Sequence, residues 1–151
     1  MTFDDLPDDW AELPLDTPGL AADVADLVVG AADRDGGCVG LVLTGADHRM
    51  SQPCVVNDVD DSVQPGEFEP FLRQLCAMVA ETRGALLFVR GRPGSVLLSD
   101  EDRRWHQLAL DTCRATGVPL LGAYLATPAT VRSFPQPVEQ VDDSPADGLA
   151  S

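Results

Sequence analysis

Three segments of the chain carry apolar side chains at the spacing of an amphipathic helix. The first follows Thr17-Pro18, a hydroxyl cap and a proline suited to the first helical position, and ends at Gly36-Gly37. The second ends near Gly84, and the third begins at Ser99 and ends at Gly117. Because side chains three or four residues apart share one face of a helix, each segment predicts a helix packed on a core. The apolar positions are Leu20, Val24, Leu27, Val28 and Ala31, then Phe68, Phe71, Leu72, Leu75, Met78 and Val79, then Trp105, Leu108, Ala109 and Cys113.

Short apolar runs between these segments are typical of strands. Residues 38–44 and 50–57 flank a turn at 45–49 and predict a hairpin, in which Pro53 indicates that the second strand lies at an edge or carries a bulge. Residues 85–89 form an unbroken apolar run, which favours the centre of a sheet, and residues 90–98 predict a loop. Residues 119–126 predict a strand with which 131–134 can pair. This order of elements predicts an α/β fold with a mixed β-sheet and flanking helices.

The two ends of the chain differ in composition from its middle. Residues 1–16 are acidic and interrupted by proline, and they predict a loosely ordered arm that Trp10 and Leu13 can attach to the domain. Residues 135–151 predict an acidic disordered tail. The folded domain is therefore expected over residues 17–134.

The formal net charge of the chain is −15, and all ten of its basic side chains are arginine. Such a surface repels phosphate backbones and anionic lipid, so neither nucleic acid nor a membrane is an expected partner. The acidic first residues lack the positive start of a secretory signal, and we expect a cytoplasmic protein. The four cysteines, Cys38, Cys54, Cys76 and Cys113, form no CxxC pair. They predict buried free thiols, with a four-cysteine zinc site as a remote alternative.

The most informative stretch of the sequence joins the strand at 85–89 to the third helix. It contains Arg90-Gly91-Arg92-Pro93 and then Ser99-Asp100-Glu101-Asp102. This pattern resembles the signature of the JAB/MPN metallopeptidase family, and in particular its RadC-like members. In that family a strand ends in His-x-His-Pro and Ser-x-x-Asp follows at the next helix start. The resemblance covers about residues 20–134 and implies a JAB/MPN architecture, which is similar to that of cytidine deaminases.

The chain departs from the family at the positions that hold zinc. In the family two histidines and the aspartate bind the metal, and a glutamate from an earlier strand acts on the metal-bound water. Here Arg90 and Arg92 replace the histidines, and Gly36-Gly37 stands where the glutamate is expected. Arginine stays protonated in proteins and repels a divalent cation. The resemblance therefore implies a domain with no catalytic residue, no metal ligand and no cofactor.

Ser99 and Asp102 match the family pattern and also have a structural explanation. Ser-x-x-Asp is typical of a capping box, in which each side chain binds the backbone N–H of the other residue. At least one of Arg90 and Arg92 is expected to form a salt bridge with Asp102, because a buried carboxylate needs a partner.

Three functions are compatible with these residues. The first is a catalytically inactive RadC/JAB-like domain that acts as a scaffold for a protein partner or as a homodimer. The second is a small-anion or nucleotide-binding module that uses Arg90 and Arg92. The third is a hydrolase with an unrecognised mechanism.

Overall fold

A computed structural model describes residues 13–15, 19–60 and 62–135 of the chain. The described part contains four helices and five strands, with α1 at Leu20–Val28, α2 at Ala31–Gly36, β1 at Cys38–Thr44 and β2 at Met50–Asn57. They continue with α3 at Pro65–Glu81, β3 at Leu86–Gly91, α4 at Asp100–Thr116, β4 at Leu120–Ala126 and β5 at Val131–Ser133.

The five strands form one mixed sheet in the order β2-β1-β3-β4-β5. β1 runs antiparallel to β2 and β3, β4 runs parallel to β3, and β5 runs antiparallel to β4. The all-apolar segment is therefore central, and the strand that contains Pro53 lies at an edge, as the sequence predicts. The predicted α/β class with a mixed sheet and flanking helices is confirmed, while the narrower JAB/MPN architecture remains a proposal.

Helices cover both faces of the sheet because the central strands are apolar on both sides. The α3 and α4 side contains the larger core, in which Leu41, Leu86 and Phe88 pack with Leu72 and Trp105. The opposite side is covered by α1, whose Leu20 and Val24 pack with Val42 and Leu87. This layering fixes the carboxyl end of β3 between the two helical layers.

The first predicted helix is in fact two helices. Val29 has an extended backbone with φ −102° and ψ 100°, and α2 begins two residues later at Ala31. The side chain of Arg34 folds back and donates to the carbonyl oxygens of Val29 at 2.9 Å and Asp26 at 2.9 Å. It also pairs with the Asp26 carboxylate and reaches the Thr127 carbonyl at 3.0 Å. The guanidinium satisfies the end of α1, so the chain can turn there. The predicted cap at Thr17-Pro18 lies outside the described residues.

Two further predictions differ from the structure in detail. Arg90 and Gly91 belong to β3 and pair with Val39 and Cys38, although the sequence places them in a loop. Phe71 and Met78 are predicted to face the core but are 43% and 58% exposed. The apolar stripe of α3 is thus wider than the face that the sheet can bury.

A short part of the predicted arm contacts the domain. Leu15 is buried in the α1-side core, with Leu13 packed at its edge. The N–H of Leu15 donates to the carbonyl oxygen of His48 at 2.8 Å, and Pro14 bridges to Arg49. The predicted attachment of the arm through Leu13 is confirmed, whereas Trp10 and the tail beyond residue 135 lie outside the described residues.

Candidate functional site

A cleft of about 530 Å³ lies at the carboxyl end of β3. Four segments that are distant in the sequence form its walls: the end of α2, the loop after β2, the loop after β3, and the first turn of α4. Three of these segments, Gly36-Gly37, the Arg90–Pro93 segment and the start of α4 at Ser99, were singled out in the sequence. It is lined by Asp35, Gly36, Gly37, Asp60, Arg90, Arg92, Pro93, Ser95, Leu97, Ser99 and Glu101.

Arg92 forms a two-pronged ion pair with Asp102 beside the cleft. Its Nε donates to Oδ1 of Asp102 at 2.8 Å, and its Nη2 donates to Oδ2 at 2.7 Å. The same guanidinium donates to the carbonyl oxygens of Pro93 at 2.9 Å and Leu97 at 3.0 Å. The predicted salt bridge between an arginine of the motif and Asp102 is confirmed. Arg92 therefore neutralises the carboxylate and also holds the loop that follows β3.

Ser99 and Asp102 form the predicted capping box at the start of α4. The N–H of Asp102 donates to Oγ of Ser99 at 3.1 Å, and the N–H of Ser99 donates to Oδ2 of Asp102 at 2.9 Å. Burial by itself would raise the pKa of Asp102, which is 1% exposed. The hydrogen bonds and charge of Arg92, together with the Ser99 N–H, outweigh that effect and hold the pKa below its usual 3.8. Asp102 is thus a fixed anion with a structural role.

Arg90 lies deeper than Arg92 and has different neighbours. It is 1% exposed, and its Nη1 donates to the carbonyl oxygens of Cys38 at 3.2 Å and of Val59. Its guanidinium carbon lies 5.1 Å from the centroid of the Trp105 ring, a cation–π distance. The arginine therefore ties the start of β1 and the loop after β2 to the carboxyl end of β3.

Gly37 lies at the position where the resemblance expects the catalytic glutamate, or immediately beside it. Its φ of +83° is a conformation that L side chains rarely adopt, and a Cβ there would overlap the carbonyl oxygen of Val59. That oxygen accepts from Arg90, and the Val59 N–H donates to the Gly37 carbonyl at 3.0 Å. At Gly36, in contrast, a Cβ would meet open space. The backbone at residue 37 excludes a glutamate side chain.

Three carboxylates that the sequence did not single out lie at the cleft. Asp35 and Asp60 are exposed, and Glu101 is paired with Arg104 at 2.9 Å. The side-chain and backbone hydrogen bonds of Ser62 lower the pKa of Asp60, so this group is a stable anion. The three residues come from separate segments with no common spacing, and no local signal joins them. Together with Asp102 they outnumber the two arginines, which disfavours a bound anion.

The residues of this cleft do not fit the zinc ion that the family pattern implies. Two guanidiniums occupy the histidine positions, and both oxygens of the remaining aspartate accept from Arg92. A metal-bound water needs neutral imidazole and carboxylate ligands, which this set does not supply. In the described ranges, no group of three or more His, Cys, Asp and Glu residues is arranged to hold a metal ion.

The cysteines and the helices complete the chemical inventory. Cys38, Cys76 and Cys113 are buried and Cys54 is half-buried, and all four are free thiols, as predicted. Burial, as the largest cause, raises the pKa of Cys38 to about 11, which keeps this thiol protonated beside the cleft.

Among the helices of the described segments, none combines the length and apolar character needed to cross a bilayer.

No protein-family model, curated protein or solved structure matches this chain. The fold and the cleft thus define the molecule as a mixed α/β domain with a charged cleft at the end of its central strand.

Proposed function

We propose that the chain is a catalytically inactive JAB/MPN-like domain, of the RadC kind, that works as a protein-interaction module. The observation that carries this proposal is the pairing of Arg92 with Asp102. Arg92, at a position where the family has a metal-binding histidine, is paired with Asp102, which is the one metal-binding carboxylate that the pattern retains. Gly37 supports the same interpretation, because its positive φ and its contact with the Val59 carbonyl exclude a glutamate side chain at that residue. Arg90 supports it because a buried guanidinium, bonded to the Cys38 carbonyl, stands where the family has a metal-binding histidine.

Recognition, rather than chemistry, suits the groups that line the cleft. The arginines are held by hydrogen bonds to fixed backbone carbonyls, and acidic groups line the same cleft. At the opening Leu97 is 75% exposed, so an apolar contact lies beside fixed charges of both signs. A preorganised surface with a central apolar group and a charged surround is typical of protein recognition sites.

Metal analysis and activity assays test the inactive state. We expect the purified protein to hold far less than one zinc per chain after dialysis against micromolar zinc. We also expect it to cleave no peptide or isopeptide substrate in a zinc-dependent way. About one tightly bound zinc per chain, or zinc-dependent hydrolysis that Asp102→Asn abolishes, would refute the proposal.

Variants of the cleft opening test the interaction. Proteins captured on the immobilised chain are compared with those captured on Leu97→Asp and on Ala115→Asp, a control at an exposed position near the end of α4. We expect at least one captured protein to bind the unchanged chain and the control variant but not the Leu97 variant. Capture that is unchanged by the Leu97 substitution would place the interaction elsewhere.

The second function, a small-anion or nucleotide-binding module using Arg90 and Arg92, has weaker support. Arg92 already binds a carboxylate, and the acidic groups at the cleft repel a second anion. Titration with phosphate, nucleotides and acidic peptides separates the two functions. Saturable binding of phosphate or nucleotide, lost in Arg92→Met, would favour the anion module.

A further inference from the structure

The outer face of α3 carries apolar side chains that the domain does not bury. Phe71, Leu75 and Met78 lie three and four residues apart and form, with Gln74, a shallow groove of about 220 Å³. Phe71 and Met78 are largely exposed, as given above. We call these four residues the α3 stripe. The stripe lies beside the buried face of the helix, so its side chains form a surface continuous with the core.

Phe71 is held in place by a chain of aromatic contacts. Its ring lies 5.2 Å from the ring of Phe68 in an edge-to-face arrangement, and Phe68 lies 5.5 Å from Trp105 in the same manner. Phe68 and Trp105 are buried. Because an ordered aromatic side chain loses little entropy on binding, Phe71 is suited to serve as an anchor for a partner.

A glutamate lies at each end of the α3 stripe, and Arg83 follows the second of them just beyond the helix. Glu67 and Glu81 lie on the same side of the helix, four residues before Phe71 and three residues after Met78. The only arginine of α3, Arg73, is paired with Glu69 at 2.7 Å and so cancels that charge. The stripe is thus bracketed by two carboxylates that are 14 residues, or about 21 Å, apart along the helix axis.

Two candidates for covering the stripe are disfavoured by this charge pattern. A second copy of the chain would bring its own Glu67 or Glu81 against these carboxylates in either helix orientation. The acidic tail, with Glu139, Asp142, Asp143 and Asp147, would meet the same repulsion. The complementary partner is positive at both ends.

We infer that the α3 stripe docks an amphipathic helix of another protein, with apolar residues on one face and Lys or Arg at both ends. This inference adds to the proposed interaction function a second surface, separate from the cleft, and names the partner class that fits it. Apolar side chains of the partner would cover Phe71, Leu75 and Met78, and its basic ends would lie against Glu67 and Glu81. A helix of about 14 residues spans that distance.

A synthetic peptide tests the inference on the full chain. The probe is a 14-residue helix of leucine and lysine, with the leucines on one face and lysines at both ends. The control peptide has the same composition in an order that spreads leucine around the helix. We expect the amphipathic peptide to bind about tenfold more tightly than the control peptide, and raised salt to weaken it. Equal affinity for the two peptides would overturn the inference, because it would mean attraction by net charge alone.

Three variants locate the binding face. The double substitution Phe71→Ser and Met78→Ser is expected to lower the affinity about tenfold, while Ala115→Ser, at an exposed position near the end of α4, leaves it unchanged. Glu81→Gln is expected to weaken binding a few-fold and to reduce its salt dependence. Thermal melting checks that each variant is folded, which exposed positions should permit. No loss of affinity in a folded Phe71/Met78 variant would overturn the inference.

Two other results would assign the α3 stripe to a second copy of the chain or to its own acidic tail. A dimer in sedimentation that the Phe71/Met78 variant dissociates would assign the stripe to a second copy. Peptide binding that appears only after removal of residues 139–151 would assign it to the tail. Either result overturns the inference. Peptide failure alone leaves the proposed function standing, whereas zinc uptake or zinc-dependent hydrolysis removes that function whatever the peptide does.

Discussion

The pair between Arg92 and Asp102 has an exposed counterpart elsewhere in the molecule. Arg73 and Glu69 have the same 2.7 Å separation of nitrogen and oxygen, but their side chains are 53% and 35% exposed, against 14% and 1% for Arg92 and Asp102. Removing one partner of a buried pair leaves an uncompensated charge, so Arg92→Met or Asp102→Asn alone should cost about 3 kcal/mol of unfolding free energy. The double variant should lose less than the sum of the two, with a coupling of about 2 kcal/mol.

The control is the same cycle with Arg73→Met and Glu69→Gln, for which the coupling should stay below about 0.5 kcal/mol. Urea denaturation of the seven proteins, with the wild type common to both, measures the two cycles. Similar coupling in the two pairs would contradict the buried, structural role of Arg92. The folded-state pKa of Asp102 lies below 3.8, so the Arg92–Asp102 coupling should be complete above that pH. It should be lost only as the pH falls through the lower folded value.

Sequence reasoning at the residue scale succeeded where the partners are close along the chain. The capping box joins residues three positions apart, and the Arg92–Asp102 pair joins residues ten positions apart. All of these residues lie within the one sequence segment that resembles the family signature. It failed for Arg90, whose carbonyl partners on Cys38 and Val59 are 52 and 31 positions away. The acidic groups at the cleft were missed for the same reason, because only the fold brings Asp35, Asp60 and Glu101 together.

The connection from α2 to β1 provides a matched pair of glycines. Gly37 needs a positive φ and lies against the Val59 carbonyl, whereas Gly36 faces open space. Gly37→Ala should therefore destabilise the protein by about 2 kcal/mol or more, through backbone strain and displacement of Val59. Gly36→Ala should be neutral or slightly stabilising, because alanine favours the helix end. Thermal or urea unfolding of the two variants measures the difference, and equal stabilities would contradict the tight contact at residue 37.

At the scale of elements, the sequence predicts the strands well and the first helix poorly. Alternating and continuous apolar runs locate β1 to β5 within a few residues, because burial against neighbouring elements sets those patterns. The break between α1 and α2 depends on Arg34, which reaches back to Val29 and across to Thr127, 93 positions away. Helical periodicity continues through the break, since Ala31 keeps the spacing of Leu27 and Val28. No local pattern therefore reveals it.

For the whole molecule, the boundaries of the folded domain can be tested by truncation. A chain reduced to residues 9–138 should melt within about 2 °C of the full chain, because the removed residues have few apolar side chains to bury. Leu15→Ala should instead cost about 3 kcal/mol, because this side chain is buried in the α1-side core. Scanning calorimetry compares the two proteins. A fall in melting temperature on truncation as large as that of Leu15→Ala would show that an end of the chain is docked on the domain.

The contact of Arg90 with Trp105 gives the molecule an internal optical probe. The chain has two tryptophans, and Trp10→Phe would leave Trp105 as the single indole. That ring touches the guanidinium at the cleft on one side and, through Phe68, the anchor Phe71 on the other. A ligand in the cleft and a helix on α3 would therefore perturb the same fluorophore from opposite directions. One emission spectrum could record both binding events, and competition between them would appear as signals that fail to add.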